Sequence, residues 1–388
     1  MSKAVGEATA YWPEGLERSV PVPYEFMFNR LSEVLKNGKM MIRDGQRELS
    51  PEELRKLVSQ IALHVSTERY ASVVCLCSDP LNLTATVLGC FLAGVKVHID
   101  ETHSPGLESR LNTISPDVII VDRATNSSTG RRVIRFEEML SHKKTETFEP
   151  IIRYASYSDP ILSLPAGVDA AQHTHTSLLA MVVSFDKFFG EILGSPIIML
   201  GRLSRWHGVL CLASTIFGEG QLYFGPTDPS QVEGGFAVTD TAGLSLLGRE
   251  LASKLRYVFV AIDDQSRAEL KQIYAAGKRL GAFVIPILGC QESGPLIAPH
   301  PTWRPHHAIG IPIVNVTPIP IDPETGRMLK IPWHFLERAE LGVDTPANML
   351  GYISEEKTSS TMVDGVVRTG YIVQSDANGL FALHAVMR

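Results

Sequence analysis

The sequence has 388 residues, of which 44% are hydrophobic and 20% are charged, an ordinary composition for a soluble globular protein. A formal net charge of −6 provides no basic surface, so nucleic acid is not an expected partner. Five cysteines, an odd number in a long chain, favour a reducing compartment, and we expect a cytoplasmic protein. The most apolar run, residues 85–95, is shorter than the roughly 20 residues that span a bilayer, so no membrane span is expected.

The first half of the chain alternates predicted helices and strands. Asp44-Gly45 is a strong hairpin turn, and Ser50 followed by Pro51 is typical of a helix start. The remaining predictions are an arm at 1–22, helices at Tyr24–Lys36, 51–65 and 80–94, and strands at Ala71–Cys77, Val95–Ile99 and Val118–Val121. This alternation predicts a parallel sheet with crossover helices, followed by a charged connector at Ile134–Pro150.

The second half repeats the alternation and then becomes richer in turns. Strands are predicted at Pro160–Leu164, Pro196–Met199, Gln221–Phe224, Tyr257–Ala261 and Phe283–Leu288, and helices at His175–Gly190, Gly208–Phe217, Leu244–Leu255 and Gln265–Arg279. From about Ile309, short strands and turns such as Asp364-Gly365 predict a small β-rich unit.

Short motifs in the last third carry a resemblance to a known family. They are residues 288–295, Ala308–Pro312, Gly351-Tyr352, Lys357-Thr358, Asp364–Tyr371 and Asp376–Leu380. In this order and spacing they resemble the large N-terminal domain of the adenylate-forming superfamily, which includes acyl-CoA and aryl-CoA ligases and peptide-synthetase adenylation domains. The resemblance implies a fold of two layered α/β subdomains with mostly parallel sheets, at 23–165 and 166–308, and a β-rich subdomain at 309–388. It also implies that the family's small C-terminal domain, which supplies a catalytic lysine, is absent.

The segment that resembles the family's phosphate loop departs from its pattern. That loop precedes a Thr-His pair, here Thr174-His175, and is rich in glycine and hydroxyl groups with one lysine. Here residues 161–169 contain one glycine, Gly167, and Asp169 stands at the lysine position. A carboxylate there repels a triphosphate.

The positions that the resemblance assigns to adenine, ribose and magnesium also differ. Ala261 and Ile262 replace a glycine turn, and Leu288 replaces a stacking tyrosine. Three further positions are Gln291 in place of a phosphate-contacting threonine, Tyr371 in place of the ribose aspartate, and Glu292, which matches the family's acid for Mg²⁺. We therefore expect no cofactor and no metal, with ATP and Mg²⁺ at Glu292 only if the chain is active.

The acyl pocket of the family lies beside a His-Gly pair, here His207-Gly208. The positions predicted to line a pocket for an acyl or aryl group are Trp206, His207, Gly208, Val260, Ala261, Leu288 and Gly289. His207 and Glu292 are the weak catalytic candidates, although His207 is favoured as a pocket or core residue. Zinc at His173 and His175, or at His300, His306 and His307, is disfavoured because no second pair has ligand spacing.

Three hypotheses follow from the resemblance and its departures. The leading one is a degenerate protein that does not adenylate alone, and that keeps an acyl or aryl pocket or serves as a partner subunit in a biosynthetic pathway. One alternative is a divergent carboxylate-activating ligase that uses ATP and works with a C-terminal domain in trans. Another is binding or hydrolysis of an acyl thioester in the old pocket. The expected partners are a small carboxylic acid, an acyl or aryl thioester, or a protein, and the oligomeric state is open.

Overall fold

A computed structural model describes residues 11–45, 47–123, 130–140, 156–190, 192–262, 267–303 and 308–387. The helices are α1 (Met27–Asn37), α2 (Pro51–Thr67), α3 (Pro80–Ala93), α4 (Leu107–Ile114), α5 (Phe136–Met139), α6 (His175–Phe189), α7 (Trp206–Gly218), α8 (Thr241–Leu244), α9 (Arg249–Lys254), α10 (Arg267–Leu280) and α11 (Glu355–Thr361).

The strands of the first half are β1 (Met41–Asp44), β2 (Arg47–Leu49), β3 (Ser72–Cys75), β4 (Lys96–Ile99), β5 (Val118–Val121), β6 (Val133–Arg135), β7 (Pro160–Ala166) and β8 (Asp169–Thr174). Those of the second half are β9 (Ile197–Met199), β10 (Gln221–Phe224), β11 (Phe236–Thr239), β12 (Tyr257–Ile262), β13 (Val284–Cys290), β14 (Gly294–Ala298), β15 (Ile311–Pro312), β16 (Thr317–Ile321), β17 (Ala339–Asp344), β18 (Gly351–Tyr352), β19 (Met362–Val363), β20 (Val366–Ser375) and β21 (Phe381–Val386).

The strands form three sheets. Sheet A has nine strands in the order β15-β14-β13-β12-β11-β9-β10-β1-β2, and those from β13 to β1 run parallel. Sheet B has seven strands in the order β18-β8-β7-β4-β3-β5-β6, with a parallel centre. Sheet C is small and antiparallel, with β16, β17, β19, β20 and β21. The predicted mixed fold with two largely parallel sheets and a small β-rich unit is confirmed.

Capping chemistry places the predicted helices of the first half. Ser50 and Glu53 form a reciprocal capping box at α2, with Pro51 in the first turn. Asp79 accepts hydrogen bonds from two backbone amides at the start of α3, and Gly94 ends that helix in the left-handed conformation. These signals are local, so the sequence is sufficient to locate both helices.

Several elements differ from the sequence-based predictions. The predicted helix Leu244–Leu255 is instead two short helices, α8 and α9, separated by four residues that include the half-exposed Leu246. Strands β8 and β11 were not predicted, and the start of the predicted connector forms β6 and α5. The rest of that connector, 141–150, lies outside the described residues. The domain boundaries stay a prediction.

Candidate functional site

The segment that resembles a phosphate loop is a tight β-hairpin. Ala166 pairs with Asp169 across β7 and β8, so the turn consists of Gly167 and Val168 alone. Gly167 has φ of +66°, a left-handed conformation that favours glycine. A two-residue turn replaces an extended loop at this point of the chain.

The carbonyl groups of this turn bind two cationic side chains. Arg110 donates to the Gly167 carbonyl and pairs with Asp100, with a distance of 2.6 Å between Arg110 Nε and Asp100 Oδ2. Lys357 Nζ donates to the Ala166 carbonyl at 2.7 Å. Arg110 is 2% exposed, so its ion pair with Asp100 lies inside the protein. The cations nearest the turn are therefore engaged by the chain itself.

Asp169, at the predicted lysine position, is buried and binds backbone amides. Its Oδ1 accepts from the Ala170 amide at 2.7 Å, and its Oδ2 accepts from the Ser354 amide at 3.2 Å. Ser354 is the N-cap of α11, so Asp169 links the hairpin to the helix that carries Lys357. Burial lowers the pKa of Lys357, while the negative charges of Asp169 and Glu292 act in the opposite direction.

Gln291 lies at the centre of the site, and both the oxygen and the nitrogen of its amide are hydrogen-bonded within the protein. Its Oε1 accepts from the Trp206 amide at 2.6 Å, and its Nε2 donates at 3.0 Å to the carbonyls of Pro165 and Ser204. The Gln291 carbonyl accepts from His173 Nε2 at 2.7 Å. One side chain thus joins the end of β13 to β7 and to the start of α7.

Burial keeps His173 neutral and lowers its pKa to about 4, despite the hydrogen bond to the Gln291 carbonyl, which acts in the opposite direction. His175 does not share the site with His173. Its Nδ1 accepts from the Met27 amide at 3.0 Å, and its ring contacts Phe26 edge-on. Among the described residues no group of three or more potential ligands could hold a metal ion, and His306 and His307 lie outside them.

Trp206 and Gly289 are in direct contact. Trp206 is 1% exposed, and a Cβ built on Gly289 would come within 2.5 Å of the indole. Gly289 is therefore required by the close approach of the ring to the backbone of β13. The His207 imidazole lies against Gly201 in the same way, with 2.5 Å between Nε2 and a built Cβ.

The other residues predicted to line an acyl pocket are buried in strands and helices. Val260 and Ala261 lie in β12, Leu288 precedes Gly289 in β13, and each of these three is at most 4% exposed. Gly208 packs on the backbone at Arg202, where a built Cβ would meet the carbonyl oxygen at 2.2 Å. Trp206 and Ala261 belong to one hydrophobic cluster and Val260 and Leu288 to another, so the predicted positions do not all line one space.

Tyr371 and Glu292 connect sheet C and the 345–352 segment to β13. The Tyr371 hydroxyl donates to the Gly289 carbonyl at 2.7 Å. Glu292 Oε1 accepts from the Tyr352 hydroxyl at 2.5 Å, and burial followed by the Glu292 charge raises the pKa of Tyr352. Lys357 Nζ lies 3.9 Å from the centre of the Tyr352 ring.

Sequence reasoning missed four participants in this network: His173, Ser204, Tyr352 and Lys357. Tyr352 and Lys357 belong to motifs that carried the resemblance, but neither was predicted to be a site residue. His173 was considered only as a metal ligand. No pattern within the chain indicates Ser204, since it contributes a backbone carbonyl. An open groove of about 470 Å³ between α8 and α10, lined in part by Leu244 and Ile273, contains none of the predicted site residues.

The comparisons with known proteins concern the fold. No protein-family model matches the chain, and no curated protein sequence matches it. Among solved structures, the o-succinylbenzoate CoA synthetase MenE from Bacillus subtilis, bound to its product analogue OSB-NCoA, superposes with a TM-score of 0.78. It is 15% identical, over 92% of this chain and 78% of that one. ATP-bound MatB from Rhodopseudomonas palustris gives a TM-score of 0.78 and 16% identity, over 93% of this chain and 78% of that one.

The chain has the fold of the adenylate-forming large domain. The same MenE in complex with ATP and magnesium gives a TM-score of 0.76 at 15% identity. At such identities the likeness shows the fold alone and leaves the chemistry to the residues at the site. No helix among the described residues is both long enough and apolar enough to cross a membrane.

Proposed function

We propose that this chain is a non-adenylating protein of acyl-CoA-synthetase fold that acts by binding a partner protein in a biosynthetic pathway of the cytoplasm. The observation that carries the proposal is the use of the Gln291 amide, which bonds to the Trp206 amide and to the carbonyls of Pro165 and Ser204. Both N–H donors of the amide are therefore engaged by the protein, and neither is available to a ligand.

The hairpin turn supports the proposal, because it is unsuited to bind a phosphate group. A phosphate site needs several backbone N–H groups directed at the anion and a free cation. Instead, the carbonyl of Gly167 in the turn binds Arg110, and the carbonyl of Ala166 just before it binds Lys357. Asp169 adds a buried carboxylate beside it. The residues present do not fit a nucleotide triphosphate.

The residues at the positions of adenine and ribose also argue against nucleotide binding. Ile262 and Leu288 are paired neighbours in β12 and β13, and both are buried on the same face of the sheet. The Tyr371 hydroxyl, at the position of the ribose-binding acid, is directed at the Gly289 carbonyl. A phenol that donates inward cannot accept two ribose hydroxyls.

The acyl side favours protein binding over a small-molecule pocket. Trp206 is among the largest fully buried side chains, and it packs on Gly289 at the centre of the predicted pocket. Interiors with this packing leave no room for an acyl chain. Binding of an acyl or aryl thioester is therefore the second candidate, and it requires movement of Trp206.

Two assays test the proposal on the same preparation. Carboxylate-dependent ATP–pyrophosphate exchange should stay at background with a panel of fatty and aryl acids, including o-succinylbenzoate, the acid named for the similar MenE. Isothermal titration with acyl-CoA and aryl-CoA thioesters should give no heat of binding. Exchange above background would instead support a divergent ligase, and heat from a thioester would support the retained pocket.

A further inference from the structure

Two buried polar side chains stand side by side on neighbouring strands of sheet B. His98 in β4 is 2% exposed and Ser163 in β7 is 1% exposed. Among the described residues, neither His98 Nδ1 nor Ser163 Oγ has a hydrogen-bond partner. Burial of a polar atom without a partner is costly, so buried polar atoms in native proteins are nearly always bonded to protein or to ordered water.

The register brings the two side chains onto one face of the sheet. His98 is the direct parallel neighbour of Ser163, and Ser163 is directly opposite Gln172 in β8. Neighbouring strands lie about 4.8 Å apart, and side chains at paired positions point to the same face of the sheet. A water molecule bonds to two groups at about 2.8 Å from each, so it can bridge side chains at paired positions of neighbouring strands.

A polar bridge lies over this position. Lys96, two residues before His98 in β4, extends across β7, where its Nζ donates to Gln172 Oε1 at 3.3 Å. Gln172 Nε2 donates in turn to the Tyr352 carbonyl at 3.1 Å. The Lys96–Gln172 bridge therefore covers Ser163, whose own strand lies between the two, and accounts for its burial.

We propose that His98 Nδ1 and Ser163 Oγ hold one internal water molecule, enclosed beneath the Lys96–Gln172 bridge. The ring nitrogen on the other side of His98, Nε2, is already bonded to Ser72 Oγ at 3.0 Å. A neutral imidazole has one donor and one acceptor, and a hydroxyl group can act as either. Water matches this pair because it donates and accepts.

An anion is a poorer match for the same position. Burial, followed by the charge of Lys96, lowers the pKa of His98 to about 3, so the imidazole is neutral at physiological pH. Of the side chains that the register and the hydrogen bonds place beside this position, Ser163, Gln172 and Ser72 are neutral and Lys96 is a cation. A single half-buried lysine whose own pKa is lowered by burial is weak compensation for a buried negative charge.

The test is a crystal structure of the unmodified protein, collected with and without a bromide soak, together with melting temperatures of two serine variants. We expect density for one water within 3.2 Å of both atoms, which is the usual hydrogen-bond limit. Ser163→Ala should lower the melting temperature by about 2 °C, because the water loses one of its partners. Ser214→Ala is the matched control, since the Ser214 hydroxyl in α7 is also buried and has no hydrogen-bond partner in the described part of the chain.

The control should not lose stability, since removal of an isolated buried hydroxyl relieves an unmet hydrogen bond. If Ser163→Ala and Ser214→Ala have equal changes in melting temperature and the position shows no electron density, no water is bound between His98 and Ser163 and the proposal is wrong. An anomalous bromide peak between His98 and Ser163 would also overturn it in favour of an anion site. These outcomes do not depend on whether the chain adenylates.

Discussion

The Tyr371 hydroxyl donates a hydrogen bond of 2.7 Å to the carbonyl oxygen of Gly289, which joins sheet C to the end of β13. Both residues are buried, and they are 82 positions apart in the chain. Tyr371 stands where the resemblance places a ribose-binding aspartate, and Gly289 makes room for the indole of Trp206. The pair thus links the two halves of the candidate site.

Removal of this hydroxyl should lower stability without changing the fold. Tyr371→Phe leaves the buried Gly289 carbonyl without its donor, at a cost of about 1–2 kcal/mol in the free energy of unfolding. Urea denaturation followed by circular dichroism measures the difference. Tyr24→Phe is the control, because Tyr24 is 77% exposed and its hydroxyl is in solvent. Equal unfolding midpoints for the two variants would show that the bond contributes nothing.

Substitution of Gln291 should lower the free energy of unfolding more than substitution of Tyr371, because the Gln291 amide bonds to three backbone groups. Gln291→Ala leaves the Trp206 amide and the carbonyls of Pro165 and Ser204 without a partner, and each lost bond costs about 1 kcal/mol or more. We expect a loss of about 3 kcal/mol in the free energy of unfolding. Gln374→Ala, on the surface of β20, serves as control. A loss below about 1 kcal/mol would mean that solvent replaces the amide and that the site is open.

Trp206 should be the residue whose removal creates a cavity. Truncation of a buried tryptophan to alanine costs about 3–5 kcal/mol, and an apolar cavity of this kind binds small aromatic molecules. Trp206→Ala should therefore melt at a lower temperature than the unmodified protein and regain part of the difference in millimolar indole. The unmodified protein is the control and should not respond to indole. A comparable indole response from it would reveal a pocket that is already open.

Buried histidines should make the protein sensitive to mild acid. Burial lowers the pKa of His98 to about 3 and that of His173 to about 4, below the unfolded value near 6.5. Between these values the unfolded chain binds more protons, so stability falls as the pH drops below about 6.5, by about 1.4 kcal/mol per pH unit for each histidine. Unfolding midpoints measured from pH 7.5 to pH 5 should show this fall.

His173→Asn isolates one of these contributions. The variant loses the hydrogen bond to the Gln291 carbonyl and is less stable at pH 7.5, but its stability should depend less steeply on pH. The control, His384→Asn, changes an exposed residue and should leave the slope as it is. An unchanged slope in His173→Asn would show that His173 titrates normally in the folded protein.

The sequence was sufficient to predict the elements that depend on local capping and on short motifs. The caps at Ser50 and Asp79 located α2 and α3, and the motifs of the last third indicated the fold. The predicted helix Leu244–Leu255 was wrong because its apolar spacing spans Gly248, where the chain leaves and re-enters helical conformation. Strand β8 was missed because its sequence, Asp-Ala-Ala-Gln-His-Thr, has low strand propensity, and pairing with β7 overrides that preference.

The site could be predicted only as a set of departures from the family pattern. Gln291 and Tyr371 were singled out because each replaces a residue type that nucleotide binding needs. Their actual partners, the Trp206 amide and the Gly289 carbonyl, are 85 and 82 residues away. Contacts of that separation depend on how the sheets pack, and no spacing within the sequence encodes them.

The most direct test of the central claim is an isothermal titration of the unmodified protein with ATP and Mg²⁺, with a catalytically active acyl-CoA synthetase of the same fold as positive control. The account predicts no measurable heat of binding up to millimolar nucleotide, because Gln291, Tyr371 and the Gly167 turn are engaged by the protein itself. Binding with a dissociation constant in the micromolar range would contradict it and would mean that the site opens to admit the nucleotide.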